Sequence, residues 1–507
     1  MAQSGIDLVT SLRRRGVKVW ADNGAVRFQA PKGILLPEEL AQLRLMKGEI
    51  VRVLEQAQCL MDDPVKPREV GCSIPVTPMQ LRVWGEIVER GITSSTRWCT
   101  FATRAFGALN IALLQKSIET VVWRHESLRT RIVADNGTPR QLVDMPCEYN
   151  LSVIVLSRTS SADNEREVKR LAQEFADEKV DISVGPLFEA RLFELSARDH
   201  VLILAFDFII SDAISIQLVN SELWTSYEQT VRGRSVSLPQ VTLQFADYAI
   251  WLQRTYDAWA DKHESYWRDR LTGAPCVRLP FDYSATQMRP AEGAMRQIAL
   301  NDTLSASLRA MARRERTTLP LVMLSVYIAV MAGWCNRRDL VIAFVSNGRY
   351  RPELQNIVGL VASRLYLRVG LDHAECFLDL LGQVSREFYS AHDHRDFDRV
   401  PLLIPECNTE LQFNWLPDGW DRVPVSEREE NNDRLLIQRF PFRAMRSETF
   451  IPLFFDTPDG INVTVRYRPD LLAHSSIERF GRNLRILSEE ITQHPHVPVT
   501  SILAMTS

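Results

Sequence analysis

Apolar positions along the chain switch repeatedly between a helical and a strand-like period. Ile6, Leu8, Val9 and Leu12 recur at helical spacing over Gly5 to Arg15, and Gly16 supplies a stop. Val17, Val19 and Ala21 then alternate with polar neighbours, and Val26 and Phe28 repeat the pattern after Asn23-Gly24. Asn-Gly between two alternating runs predicts a β-hairpin, because a type I′ turn needs positive φ at both central residues. Behind Pro37 a further helix is predicted from Glu38 to Gln56, with Leu40, Leu43, Leu45, Ile50, Val53 and Leu54 apolar. Residues 1–57 therefore read as a miniature domain. Residues 58–73 hold Asp62-Asp63-Pro64, Lys66-Pro67-Arg68 and Gly71, a composition that marks a linker.

From residue 74 onward, strand-like and helix-like runs alternate. Val201 to Ile210, VLILAFDFII, fits a buried strand. Ala112 to Val122 and Ile214 to Tyr227 are predicted helices around it. This alternation predicts an α/β architecture. More than 400 residues suit two lobes better than one, placed here at 74–245 and 246–507. Thr317 to Asn336 carries no charge and approaches the length of a membrane span. It contains Pro320, Ser325 and Asn336 and is flanked by arginines, so it reads as a buried core helix.

Composition narrows the class. With 45% hydrophobic and 24% charged residues, the chain is expected to form large cores. A net charge of −3 gives no sign of nucleic acid or an anionic membrane as partner. The eight cysteines are scattered without a C-x-x-C pair, which predicts isolated thiols rather than a disulfide or zinc framework. No long apolar stretch follows Met1, so no signal peptide is expected and the protein is expected to be cytoplasmic. There is no G-x-S-x-G elbow and no P-loop. His392 and His394, two residues apart, lack metal-ligand spacing and are expected at the surface; no metal is expected.

Several segments resemble, in order, the core motifs of the condensation domains of nonribosomal peptide synthetases. VTPMQLRVW (Val76–Trp84) resembles the first motif and WRHESLRTRI (Trp123–Ile132) the second. QFADYAIW (Gln244–Trp251), YWRDRLTGAP (Tyr266–Pro275), SNGRYRPEL (Ser346–Leu354) and the latch-like IVGLVASRLYLR (Ile357–Arg368) follow. AHDHRDFDRVP (Ala391–Pro401) is a weaker match. Residues 1–57 resemble TubC-type docking domains. The resemblance implies an αββαα docking domain followed by two chloramphenicol-acetyltransferase-like lobes in a V. A tunnel between the lobes would admit phosphopantetheine arms from donor and acceptor carrier proteins; no cofactor would be bound directly. The docking domain would take the acidic C-terminal tail of an upstream subunit as an added strand. Arg13, Arg14, Arg15, Lys18 and Arg27 around the hairpin suit such a peptide; without the resemblance a solvated basic face would be the plainer explanation.

At one place this chain departs from the family. Condensation domains carry HHxxxDG between the lobes; the aligned stretch here is DFIISDA, Asp207 to Ala213. Phe208 stands where the second histidine is expected, and it can neither take a proton nor donate a hydrogen bond. Asp207, Asp212 and Ser215 also fit DxxxxDxxS, the pattern of heterocyclisation domains. Asp212 or Ser211 could equally cap the helix beginning near Ile214. The later heterocyclisation motifs are not recognisable in SETFIPLFFD (Ser447–Asp456) or LQFNWLP (Leu411–Pro417). His125 falls where the family places a structural residue. Three functions stay open: amide-forming acyl transfer without the histidine, ring formation through Asp207, Asp212 and Ser215, and an inactive platform for carriers or a tailoring enzyme.

Overall fold

The computed structural model describes residues 18–22, 25–29 and parts of 43–51. It then describes 64–506 apart from 70, 90–93, 96–97, 157–160, 284–292, 396–399, 401–403, 405–409, 417–426, 431–432 and 443–448. The chain divides into two compact units, residues 1–65 with 306–323, and residues 66–305 with 324–507.

In the smaller unit, Lys18–Asp22 pairs antiparallel with Ala25–Gln29, in the register Val19 opposite Phe28 and Ala21 opposite Val26. This is the hairpin expected from the alternating pattern. Its Asn23-Gly24 turn, the helix expected at Gly5–Arg15 and Arg13, Arg14 and Arg15 lie outside the described residues, as does the side chain of Lys18. Arg27 is exposed. Leu43, Ile50 and Val51 are buried, and the Ile50 amide donates to the Met46 carbonyl at 2.9 Å, as the predicted helix over 38–56 requires.

The larger unit is mixed α/β and contains two six-stranded sheets. The first runs in the order Glu427–Glu430, Asp433–Arg439, Trp98–Phe106, Asp199–Asp207, Phe188–Ser196, Ser152–Val155. Its strand Asp199–Asp207 is buried almost throughout because it has antiparallel neighbours on both sides and helix Ser161–Asp177 over one face. Val168, Ala172 and Phe175 of that helix pack on Phe193, Val201 and Ile203. The second sheet runs Ala294–Ala299, Gly460–Tyr467, Phe450–Thr457, Gln412–Leu416, Asp339–Ser346, Ser363–Gly370. The uncharged segment forms the helix Leu319–Cys335. Its Tyr327 is fully buried against Phe413, Phe454 and Phe480. Among the described residues no single helix is long and apolar enough to cross a membrane.

Two of the expected boundaries carry further contacts. The division at 245/246 meets the start of helix Phe245–Leu271, yet the chain later returns to the first sheet. Leu436 pairs with Phe106 and Gln438 with Arg104, so residues 427–439 complete a sheet begun in the N-terminal half. The end of the predicted linker is also ordered. The Arg68 amide and guanidinium both reach Asp247 Oδ1, at 3.0 and 3.1 Å, and Nη2 reaches Glu126 at 2.9 Å.

Candidate functional site

The central strand of the first sheet ends at Asp207, and Phe208–Ile210 wind into one 3-10 turn. Asp207 is completely buried. Its Oδ1 accepts the Ile209 amide at 2.8 Å, its own amide donates to the Leu187 carbonyl at 2.7 Å, and its carbonyl accepts Ser211 Oγ at 3.0 Å. Gln80 of the first motif secures the same turn: buried, it donates through Nε2 to the Ile209 carbonyl at 2.9 Å. Phe208 is partly buried in this turn.

Asp212 and Ser215 belong to a second group, a clasp around Arg349. Asp212 is the N-cap of helix Ala213–Val231, where its Oδ1 accepts the Ser215 amide at 2.8 Å. A carboxylate there also faces the positive end of the helix dipole. Arg349 meets the same carboxylate with both terminal nitrogens, Nη1 to Oδ2 at 2.8 Å and Nη2 to Oδ1 at 3.0 Å. The Val361 and Ala362 amides donate to Oδ2 at 3.0 and 3.1 Å. Five N–H groups thus converge on one buried carboxylate. Ser215 Oγ lies 2.8 Å from both Asp212 Oδ1 and the Gly359 carbonyl, and its single proton can serve only one of them. It accepts the Gly359 amide at 2.9 Å. The arginine comes from the loop after strand Asp339–Ser346, not from the strand itself. Two glycines permit the close approach. A Cβ on Gly359 would stand 2.3 Å from the Phe245 ring, and one on Gly348, whose φ is +69°, would stand 2.0 Å from the Val361 carbonyl.

Around this clasp the histidines are spent on structure. His125 is buried, with Nε2 2.8 Å from Glu222. Burial pushes the Glu222 carboxyl up, but the His125 hydrogen bond and the charges of His125 and Arg124 outweigh it and hold the group below its ordinary range. His392 and His394 are half-buried, not at the surface as expected. His392 ends the helix Phe377–His392 with its ring 6.0 Å from that of Phe388, and His394 follows in the turn beyond. Burial first, then the nearby Arg395 charge, lowers His392 to about 4. His394 stacks on Tyr266 at 3.8 Å and lies 2.9 Å, nitrogen to nitrogen, from His263. Burial and the neighbouring cations bring it down to about 3. Beside the clasp lies a small cleft whose lining includes Thr77, Met79, Tyr248, Tyr350, Ser363 and Arg395. Arg349 and Arg395 lie in SNGRYRPEL and AHDHRDFDRVP, where nothing local marks either as a site residue.

The arrangement offers no acid or base in the motif turn beyond two carboxylates already held by backbone amides. No group of three or more His, Cys, Asp or Glu side chains among the described residues is placed to hold a metal ion.

Comparison with known proteins agrees with this architecture. The condensation-domain family model matches residues 72–507, and the TubC N-terminal docking domain matches residues 6–56. A linear gramicidin synthase of Brevibacillus parabrevis is 26% identical over 504 residues, covering 96% of this chain but only 6% of that protein. The X-domain from teicoplanin biosynthesis has a TM-score of 0.74 at 21% identity, covering 86% of this chain and 99% of that one. The EpoB NRPS cyclization-docking bidomain from Sorangium cellulosum has a TM-score of 0.73 at 17% identity, covering 97% and 98%. At these identities the two structures show the fold alone. The chain belongs to the condensation-domain family and carries a TubC-type docking domain ahead of the condensation domain.

Proposed function

We propose that the condensation domain joins a carrier-bound acyl thioester to a carrier-bound amine by holding the two reactants in register, without a side-chain base in the motif turn. The observation that carries this reading is the clasp. The framework around the motif keeps its full set of bonds to Asp212 while Phe208 occupies the position of the base. The magnitudes favour it: positioning is worth about 7–11 kcal/mol of barrier, whereas a general base adds about 10²–10⁴-fold. The amine nitrogen attacks the thioester carbonyl, the C–S bond breaks, the donor leaves as a thiolate, and the amine proton passes through water to that sulfur. The phosphopantetheine arms of donor and acceptor carriers supply both reactants. The docking domain takes the acidic tail of the upstream subunit on its hairpin edge, beside Arg27.

Two other readings have specific support. The X-domain of teicoplanin biosynthesis, similar in fold, is found in complex with OxyB, which favours a non-catalytic platform that recruits another enzyme. The DxxxxDxxS match favours ring formation through Asp207, Asp212 and Ser215. One experiment separates the three: load both carriers chemically and weigh the acceptor carrier intact. Gain of the acyl group supports transfer, a further loss of one water supports ring closure, and an unchanged carrier retained by the immobilised chain supports the platform.

A further inference from the structure

A cysteine, an aspartate and a histidine that neither the clasp nor the motif turn uses meet at the start of helix Phe377–His392. Cys376 precedes the helix and is held there by a later segment. The Phe377 amide donates to the Val497 carbonyl at 3.1 Å, and the Val499 amide donates to the Glu375 carbonyl at 3.0 Å. This crossing brings His496 to the sulfur, with Nδ1 3.8 Å from Sγ. Asp379, in the first turn of the helix, accepts the Cys376 amide at 3.1 Å and the Glu375 amide at 3.2 Å. The same oxygen, Oδ2, stands 3.3 Å from Sγ. The thiol's bond first, then the two amides and the His496 charge, hold the Asp379 carboxyl below its ordinary range. Cys376 is half-buried, and Asp379 and His496 are exposed, so the group lies at the surface. Moving the thiol proton to His496 turns a thiol and an imidazole into an ion pair. The carboxylate opposes the thiolate but favours the imidazolium, so its two effects offset. The positive end of a helix of 16 residues then favours the thiolate. A thiol with a base beside it and a helix N-terminus behind it is arranged as a nucleophile. Cys335 is the contrast: burial pushes its thiol up to about 12.

We propose that Cys376 is a modification site, a thiol that exchanges with small disulfides while His496 takes its proton. The Cys376 sulfur attacks one sulfur of the disulfide, and a mixed disulfide forms as the original S–S bond breaks. The departing thiolate recovers the proton from His496. The full chain is incubated at neutral pH with bis(2-hydroxyethyl) disulfide, an uncharged probe. Peptide mass spectrometry then times the appearance of the mixed disulfide at each cysteine. Cys376 should react about tenfold or more faster than Cys276, which is the more exposed of the two. His496→Asn keeps a polar side chain but removes the base; it should slow Cys376 about tenfold and leave Cys276 unchanged. Cys335, withheld by burial in the folded chain, becomes reactive if that variant unfolds. In that event the ranking of Cys376 against Cys276 in the wild-type chain decides the matter. A Cys376 rate no greater than that of Cys276, or one that survives His496→Asn in a folded chain, overturns the inference.

Discussion

Asp212→Ala tests the clasp directly. It removes the acceptor of five N–H groups and leaves the Arg349 guanidinium buried without its carboxylate. Removing one partner of a buried pair costs about 3–5 kcal/mol, and losing an N-cap costs about 1 kcal/mol more. The two overlap, so about 5 kcal/mol is a reasonable total. A unit of roughly 420 residues unfolds with an entropy near 0.9 kcal/mol/K, which converts this cost into a melting drop of about 5 °C. Scanning calorimetry reads it. The decisive comparison adds Arg349→Met. With both charges gone no ion is stranded, so the double variant should be less destabilised than the sum of the singles by about 2 kcal/mol or more. An Asp212→Ala variant that melts within 1 °C of wild type, or costs that simply add, would refute the reasoning. Asp207→Ala, which removes the acceptor of the Ile209 amide, should cost only about 1–2 kcal/mol.

Wild-type chain with both carriers loaded should form product without any motif histidine; product appearing only after Asp207→His with Phe208→His would identify a decayed condensation domain instead. His394 has its pKa lowered by burial, so the stability it contributes is complete above pH 6.5 and is lost as pH falls toward about 3. After allowance for solvent screening the loss at pH 5 is about 1 kcal/mol, and His394→Phe, which keeps a ring on Tyr266, should reduce it. Urea denaturation at pH 7 and pH 5 checks this, and an equal loss in both proteins counts against it. Charge reversal at Lys18 and Arg27 should weaken binding of a synthetic acidic tail, more so at low salt; unchanged affinity in calorimetry removes the electrostatic part of the docking proposal.

Local patterns were legible where one element decided the outcome. The alternation on either side of Asn23-Gly24 forms the paired hairpin, and the uncharged run at 319–335 forms a buried helix. The run at 201–210 was legible as a strand but not its end: its last three residues are as apolar as the rest, and the turn follows from the Asp207 cap and the Gln80 bond. What could not be read depended on distant partners. Nothing in EREE or DRLLIQR announces that residues 427–439 extend a sheet built around residues 98–106 and 199–207. His394 looked like a solvent-facing residue because the rings that cover it, Tyr266 and Trp267, lie on the distant helix Phe245–Leu271.

The clasp also bears on what the motif can report. In this chain the histidine positions of HHxxxDG are replaced, while the aspartate that follows them is kept. The structure gives that aspartate work independent of proton transfer: it starts a helix, neutralises an arginine and accepts two amides of the latch-like segment. Losing it would cost the fold several kcal/mol, whereas exchanging a histidine for Phe208 in a partly buried turn costs the fold little. Ser215 is tied to the same segment through the Gly359 amide. Two of the three residues in DxxxxDxxS are therefore required by the clasp whatever the chemistry. Only Asp207 is left to discriminate, and its carboxylate is fully buried and accepts the Ile209 amide. A match to this pattern reports that the two motifs are joined, and the reaction has to be established from the carriers.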